Sequence, residues 1–162
     1  MVNAKPVSLA QYKGKPLVLA FILTTCPHCQ HMVELLSKLQ PACAPRGLQV
    51  LAAAIDPAAQ NAVPLFVKNF HPPFPVGFAA DGYAVVDFCG YARDRLPYMP
   101  ILLFIGRDGA IREQHQGADS VYFGDQEEQN LRASIEALLG GGSKTVAKKP
   151  APAPKTAPKK SS

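Results

Sequence analysis

The feature that most constrains this chain is an apolar run, Leu17 to Leu23, that stops at Thr24-Thr25 and is followed at once by Cys26-Pro27-His28-Cys29. A continuous apolar run of this length suits a strand buried on both faces, the condition of a central parallel strand. After Pro27 the apolar side chains return at Cys29, Met32, Val33, Leu36 and Leu39, the spacing of one helix face. Proline favours the first helical position, so Cys26 falls at the N-cap and Cys29 points inward. The unpaired N–H groups and positive dipole end of a helix favour an anion at the N-cap. The two cysteines are thereby given different roles: Cys26 exposed and nucleophilic, Cys29 shielded and able to resolve. His28, one turn into the helix, is expected to offer an N–H or a positive charge to the Cys26 sulfur. That would stabilise the dithiol and make the couple oxidising, by about 30 mV for each 1.4 kcal/mol.

Other uses of a Cys-x-x-Cys pair fit less well. Zinc usually needs a second pair at similar spacing, and neither a second Cys-x-x-Cys nor a His-x-x-x-His occurs. Covalent haem attachment needs histidine after the second cysteine, where Gln30 stands. Lysines 5, 13 and 15 followed by Leu17–Leu23 and a cysteine imitate a lipoprotein signal, but the run is short, Pro16 precedes it, and cleavage would discard the strand. A metal-binding or tethering module using Cys26, Cys29 and His31 remains the non-enzymatic alternative.

Downstream, Pro41 should end or kink the first helix, on which Glu34 and Lys38 form an i,i+4 pair. Gln49 to Ile55 reads as a strand with Asp56-Pro57 at its exit. Val63, Phe66, Val67 and Phe70 fit a helix face, with Pro64 tolerated only near the start. Phe74 to Phe78 reads as a short strand and Val85 to Tyr91 as a helical turn. The order βαβαβα implies a parallel sheet with right-handed crossovers. Leu96-Pro97-Tyr98-Met99-Pro100 then leads into the apolar strand Ile101 to Ile105. Gly106-Arg107-Asp108-Gly109 turns into an antiparallel return, Ala110 to Gln114, that Gly117 ends. Asp125 and Glu128 resemble a capping box, Leu131, Ile135, Leu138 and Leu139 form the last apolar helix face, and Gly140 to Gly142 release it. The fold class is therefore α/β: a central mixed sheet, its parallel βαβ half joined to a C-terminal antiparallel hairpin, flanked by helices.

Lys15-Pro16-Leu17-Val18-Leu19-Ala20-Phe21, the Cys-Pro-His-Cys and the later Met99-Pro100 before a hydrophobic strand resemble the thioredoxin superfamily. Within it, the chain is most similar to the TlpA/ResA-like and alkyl-hydroperoxide-reductase/thiol-specific-antioxidant branch of bacterial thiol:disulfide oxidoreductases, over about residues 7 to 139. The Pro27-His28 dipeptide is similar to that of DsbA. The resemblance implies a thioredoxin-like fold and exchange of disulfides with protein thiols and a redox-recycling partner. Cys26 attacks, Cys29 resolves, and Pro27 and His28 complete the catalytic motif. It implies a cis Pro100 beside the cysteines, leaving the Met99 backbone free to pair with an extended substrate, with Thr25 also facing that substrate. No organic cofactor and no metal is implied, the working group being a Cys26–Cys29 disulfide.

The chain departs from its relatives in informative ways. Thr25 stands where thioredoxins carry tryptophan, Ala20 where they place a buried acid, and Met32 where some ResA-like proteins have glutamate. The proton acceptor for Cys29 is therefore unassigned; Glu34 is near in sequence but on the wrong helix face. A peroxiredoxin-type peroxidase would need threonine and proline at positions held by Leu23 and Leu19, so that motif fails. Cys43 and Cys89 read as buried hydrophobes, and His71 and His115 as solvated or structural.

Six of the 17 basic residues lie beyond Ser143 while all 12 acidic residues precede it, so the net charge of +5 divides into −1 for the body and +6 for the tail. Residues 1–140 read as one domain and 141–162 as a disordered Lys/Pro/Ala-rich tail, a spacer or a contact for anionic surfaces or nucleic acid. A monomer is expected. The N-terminus carries no secretory signal of ordinary shape, which places the chain in the cytoplasm if it starts as written and in an extracytoplasmic space if a leader has been lost.

Overall fold

The computed structural model describes residues 7–140, and the tail assignment at 141–162 lies outside them. Five strands form one mixed sheet: β1 (Leu17–Ile22), β2 (Gln49–Ala54), β3 (Val76–Phe78), β4 (Ile101–Ile105) and β5 (Ile111–Gln116). Their spatial order is β3-β2-β1-β4-β5. β1, β2 and β3 run parallel, and β4 and β5 are antiparallel additions, as the sequence pattern implied. β1 is central and all six of its residues are buried, which explains why its sequence is apolar without alternation.

The helices α1 (Pro27–Cys43), α2 (Ala59–Phe70) and α4 (Glu127–Leu139) cover one face of the sheet. Both βαβ crossovers move the chain the same way along the sheet, so right-handedness sends α1 and α2 to the same side. Their core gathers Val18, Ala20, Ile22, Leu102 and Phe104 from the strands with Met32, Leu36, Leu131 and Ile135 from the helices. The helix α3 (Gly82–Cys89), with Tyr12 from a short 3-10 turn, covers the other face over Leu19, Phe21, Leu51 and Leu103.

Several local expectations are corrected. Pro41 does not end α1, which runs on to Cys43; so close to the C-terminus a proline removes one intrahelical bond and leaves an exposed ring. Pro64 lies in the second turn of α2 rather than at its start, and it is exposed, as is Gln60, to whose carbonyl it can donate no N–H. Asp125 is not a cap: Gln126 holds the N-cap position of α4 and makes no side-chain capping bond. Gly140 closes α4 in a right-handed conformation, with φ −75°. Lys38 pairs with Glu128 of α4 at 2.8 Å rather than with Glu34. α3 begins earlier than its apolar pattern, because Asp81 caps it by accepting from the Tyr83 N–H at 2.8 Å.

Where β5 leaves the sheet it meets the segment entering β4. The Gly117 N–H donates to the Tyr98 carbonyl at 2.8 Å, and a Cβ on Gly117 would stand 2.3 Å from the Met99 carbonyl oxygen. Gly117 thus does more than end a strand; only a residue without a side chain lets the backbone before Pro100 lie this close. Gly117→Ala should cost about 1–3 kcal/mol in chemical denaturation through forced backbone movement. Gly77→Ala, where a Cβ meets nothing within 4 Å, should stay within about 1 kcal/mol.

Candidate active site

The site lies at the end of the sheet where β1 and β2 exit and β4 enters. Phe21 is paired with Ile101, so the end of β1 and the Met99-Pro100 segment are brought to one edge. Thr24-Thr25 then turn the chain into α1. Cys26 is the N-cap of that helix, with φ −80° and ψ 119°, and Pro27 is its first residue. Cys26 is half-buried and Cys29, one turn on, is fully buried at 0% exposure. Both are free thiols, and Cys43 and Cys89 are buried elsewhere in the core.

Two features fix Cys29. Its sulfur accepts from the Leu23 N–H at 3.4 Å, and it packs in the apolar cluster with Met32 and Val33. Burial, above all, pushes the Cys29 thiol far above its ordinary range; the neighbouring Cys26 side chain and the charge of Asp56 push the same way, while the Leu23 N–H opposes them. The Met99–Pro100 bond is cis. Pro100 is buried, and Met99 is half-buried against both core clusters. Cys26 and Leu23 also pack at the edge of the larger cluster, so the cysteine pair and the proline segment share one rim. Thr25, Pro27 and His28 are exposed on that rim.

His28 does not hydrogen-bond to Cys26. Its charge instead acts on Glu127 at the start of α4, where His31 also approaches to 3.5 Å. Burial raises the Glu127 carboxyl, and the two histidines offset part of that rise. Glu34 is exposed, facing away from Cys29. His71 is exposed and takes a left-handed conformation, φ 44°, as the C-cap of α2, with its N–H on the Val67 carbonyl. His115 is structural: Nδ1 lies 2.9 Å from Asp119 and Nε2 3.4 Å from Glu113, with the ring stacked on Tyr122 at 3.7 Å.

Asp56 is the group the sequence did not mark. Read as a strand exit, it reaches across to Thr24, whose N–H donates to its two carboxylate oxygens at 3.0 and 2.9 Å and whose hydroxyl donates at 3.1 Å. Only the Asp-Pro pair at the end of a parallel strand hinted at it. Among the described residues no group of three or more His, Cys, Asp or Glu side chains is arranged to hold a metal ion.

The raised Cys29 thiol has a consequence for stability. Folded Cys29 keeps its proton where an unfolded thiol, near about pH 8.5, gives it up. Its contribution is therefore complete below that pH and is lost as pH rises beyond it. Denaturation of the reduced protein from pH 7.5 to 9.5 should show stability falling more steeply for wild type than for Cys29→Ser; equal slopes would contradict the burial argument.

Comparisons with known proteins agree with this geometry. The Redoxin family model matches residues 2–135. The thiol-disulfide oxidoreductase ResA of Bacillus thuringiensis subsp. konkukian is 26% identical over 116 residues, covering 72% of this chain. The ResA of Bacillus cereus matches equally, and the aligned part spans 63% of the length of each relative. Among solved structures, a thiol:disulfide interchange protein of the thioredoxin family from Chlorobium tepidum superposes with a TM-score of 0.68 at 24% identity, over 86% of this chain and 90% of that one. A secreted disulfide oxidoreductase of Mycobacterium tuberculosis gives a TM-score of 0.64 at 24% identity, over 82% and 89%. The fold is thioredoxin-like, and the chain belongs to the Redoxin family.

Proposed function

We propose that this chain is a thiol:disulfide oxidoreductase acting on protein thiols and disulfides through Cys26 and Cys29. The observation that carries the reading is the unequal burial of the two sulfurs: Cys26 half-exposed at a helix N-cap, packed against the same core cluster as Met99, and Cys29 sealed one turn below. The match to the Redoxin family and to proteins called thiol-disulfide oxidoreductases supports it.

In the reducing direction, the Cys26 thiolate attacks one sulfur of a substrate disulfide, forming the Cys26 mixed disulfide and releasing the other sulfur as a thiolate. Cys29 then loses its proton and attacks the Cys26 sulfur. The Cys26–substrate bond breaks, the substrate leaves as a thiol after taking up a proton, and the pair is left as a disulfide. Oxidation of a dithiol substrate is the same sequence reversed. Thr25 and the main chain of Met99 border the approach to Cys26 and are the positions for an extended substrate segment, which would pair through its backbone. A second redox partner returns the pair to its starting state.

Insulin reduction and disulfide transfer to a reduced peptide test the reading. Cys26→Ser should lower either rate to below about a hundredth of wild type, since the nucleophile is gone. Cys29→Ser should instead accumulate a substrate-linked species seen by mass spectrometry without reductant. A Cys26→Ser variant with full activity would end the proposal.

A further inference from the structure

Resolution of the mixed disulfide asks Cys29 to give up a proton in a place built to keep it. Its sulfur is fully buried, and it accepts a hydrogen bond from the Leu23 N–H. The carboxylate whose charge reaches it is that of Asp56. The parallel pairing of β1 with β2, continued by the Ile55 N–H donating to the Ile22 carbonyl at 2.9 Å, sets Asp56 beside Leu23-Thr24. Thr24, itself only 7% exposed, then grips both carboxylate oxygens with its N–H and one of them with its hydroxyl. Gln30, in the first turns of α1, donates to the Thr24 carbonyl at 2.9 Å and ties this grip to the helix that carries Cys29. Consecutive main-chain N–H groups, those of Leu23 and Thr24, therefore hold the sulfur and the carboxylate.

The bonding pattern separates two roles such a carboxylate could have. A proton acceptor must face the S–H within hydrogen-bond reach. Asp56 makes no hydrogen bond to Cys29, and its oxygens are taken by Thr24 donors. A fixed negative charge needs no such contact; near a sulfur as fully buried as that of Cys29 it disfavours the anion, even from the half-buried position Asp56 holds.

We propose that Asp56 is a positioning residue for the exchange reaction: a fixed negative charge, pinned by Thr24, that holds back the resolving thiol and prolongs the mixed disulfide on Cys26. This rests on the exchange reaction proposed above. In the restrained step Cys29 releases its proton to solvent and its sulfur bonds to Cys26. The Cys26–substrate bond breaks, and the departing sulfur keeps the electron pair and picks up a proton. The two cysteines end oxidised and the substrate sulfur reduced.

The test uses reduced full-length protein and dithiobis(nitrobenzoate). The first thionitrobenzoate released reports attack by Cys26, and the second reports resolution by Cys29, with mass spectrometry confirming the Cys26–Cys29 pair. Asp56→Asn keeps an acceptor for Thr24 and removes the charge. Its second release should be at least threefold faster than wild type, while Asp56→Glu stays within twofold of wild type. A second release that is unchanged or slower in Asp56→Asn, or equally fast in Asp56→Glu, overturns the proposal, a slower one identifying Asp56 as a proton acceptor. Should Asp56→Asn lose its cooperative melting, Asp56→Ser is the second neutral variant and the same outcomes apply. A wild-type protein that gives no second release and no intramolecular pair sinks the exchange reaction itself.

Discussion

The burial of one sulfur beneath the end of a central strand is the constraint from which the rest of the site follows. Cys29 accepts from the Leu23 N–H at the point where β1 stops, so the strand end and the first turn of α1 are locked together. That lock requires a short turn, which Thr24-Thr25 supply, and a helix that starts without delay, which Pro27 supplies. With Cys29 turned inward, Cys26 is left at the helix start on the protein's rim. The asymmetry between the two sulfurs is therefore a product of strand position and helix phase, and the sulfurs themselves need differ in nothing else.

The elements that bear the site were legible because each carries a strong local signal. β1 is apolar at every position, and α1 shows one apolar stripe over four turns, so no competing period exists. What the sequence hid depends on parallel pairing. Asp56 stands 32 positions from Thr24, and only the register of β1 against β2 makes them partners. The same holds for Lys38, whose neighbour in the sequence, Glu34, loses to Glu128 on a helix near the other end of the chain. His28 was placed by helical phase alone; the packing of α4 against the start of α1 supplies Glu127 as its electrostatic partner. Local rules for Pro41 and Asp125 failed for a related reason. Each describes an isolated helix, whereas tertiary packing holds α1 and α4 against the sheet.

The half-buried polar residues of β5 show how an edge strand is closed off. Glu113 and His115 face the α4 side, where Ser134 donates to Glu113 at 2.6 Å and Asp119 receives His115. His115 is the principal cause that holds the Asp119 carboxyl below its usual range. This network, stacked on Tyr122, anchors the loop between β5 and α4 and so the start of α4, including Glu127 beside His28 and His31. The edge of the sheet and the surroundings of the cysteine pair are thus joined through one helix.

The central claim is that the fold sets one sulfur out and its neighbour in. Limited alkylation of the reduced protein with iodoacetamide, quenched at intervals and mapped by peptide mass spectrometry, tests it most directly. The account predicts that Cys26 is modified first and that Cys29, Cys43 and Cys89 follow only when the protein is unfolded. Labelling of Cys29 together with Cys26, or ahead of it, in the folded protein would contradict it.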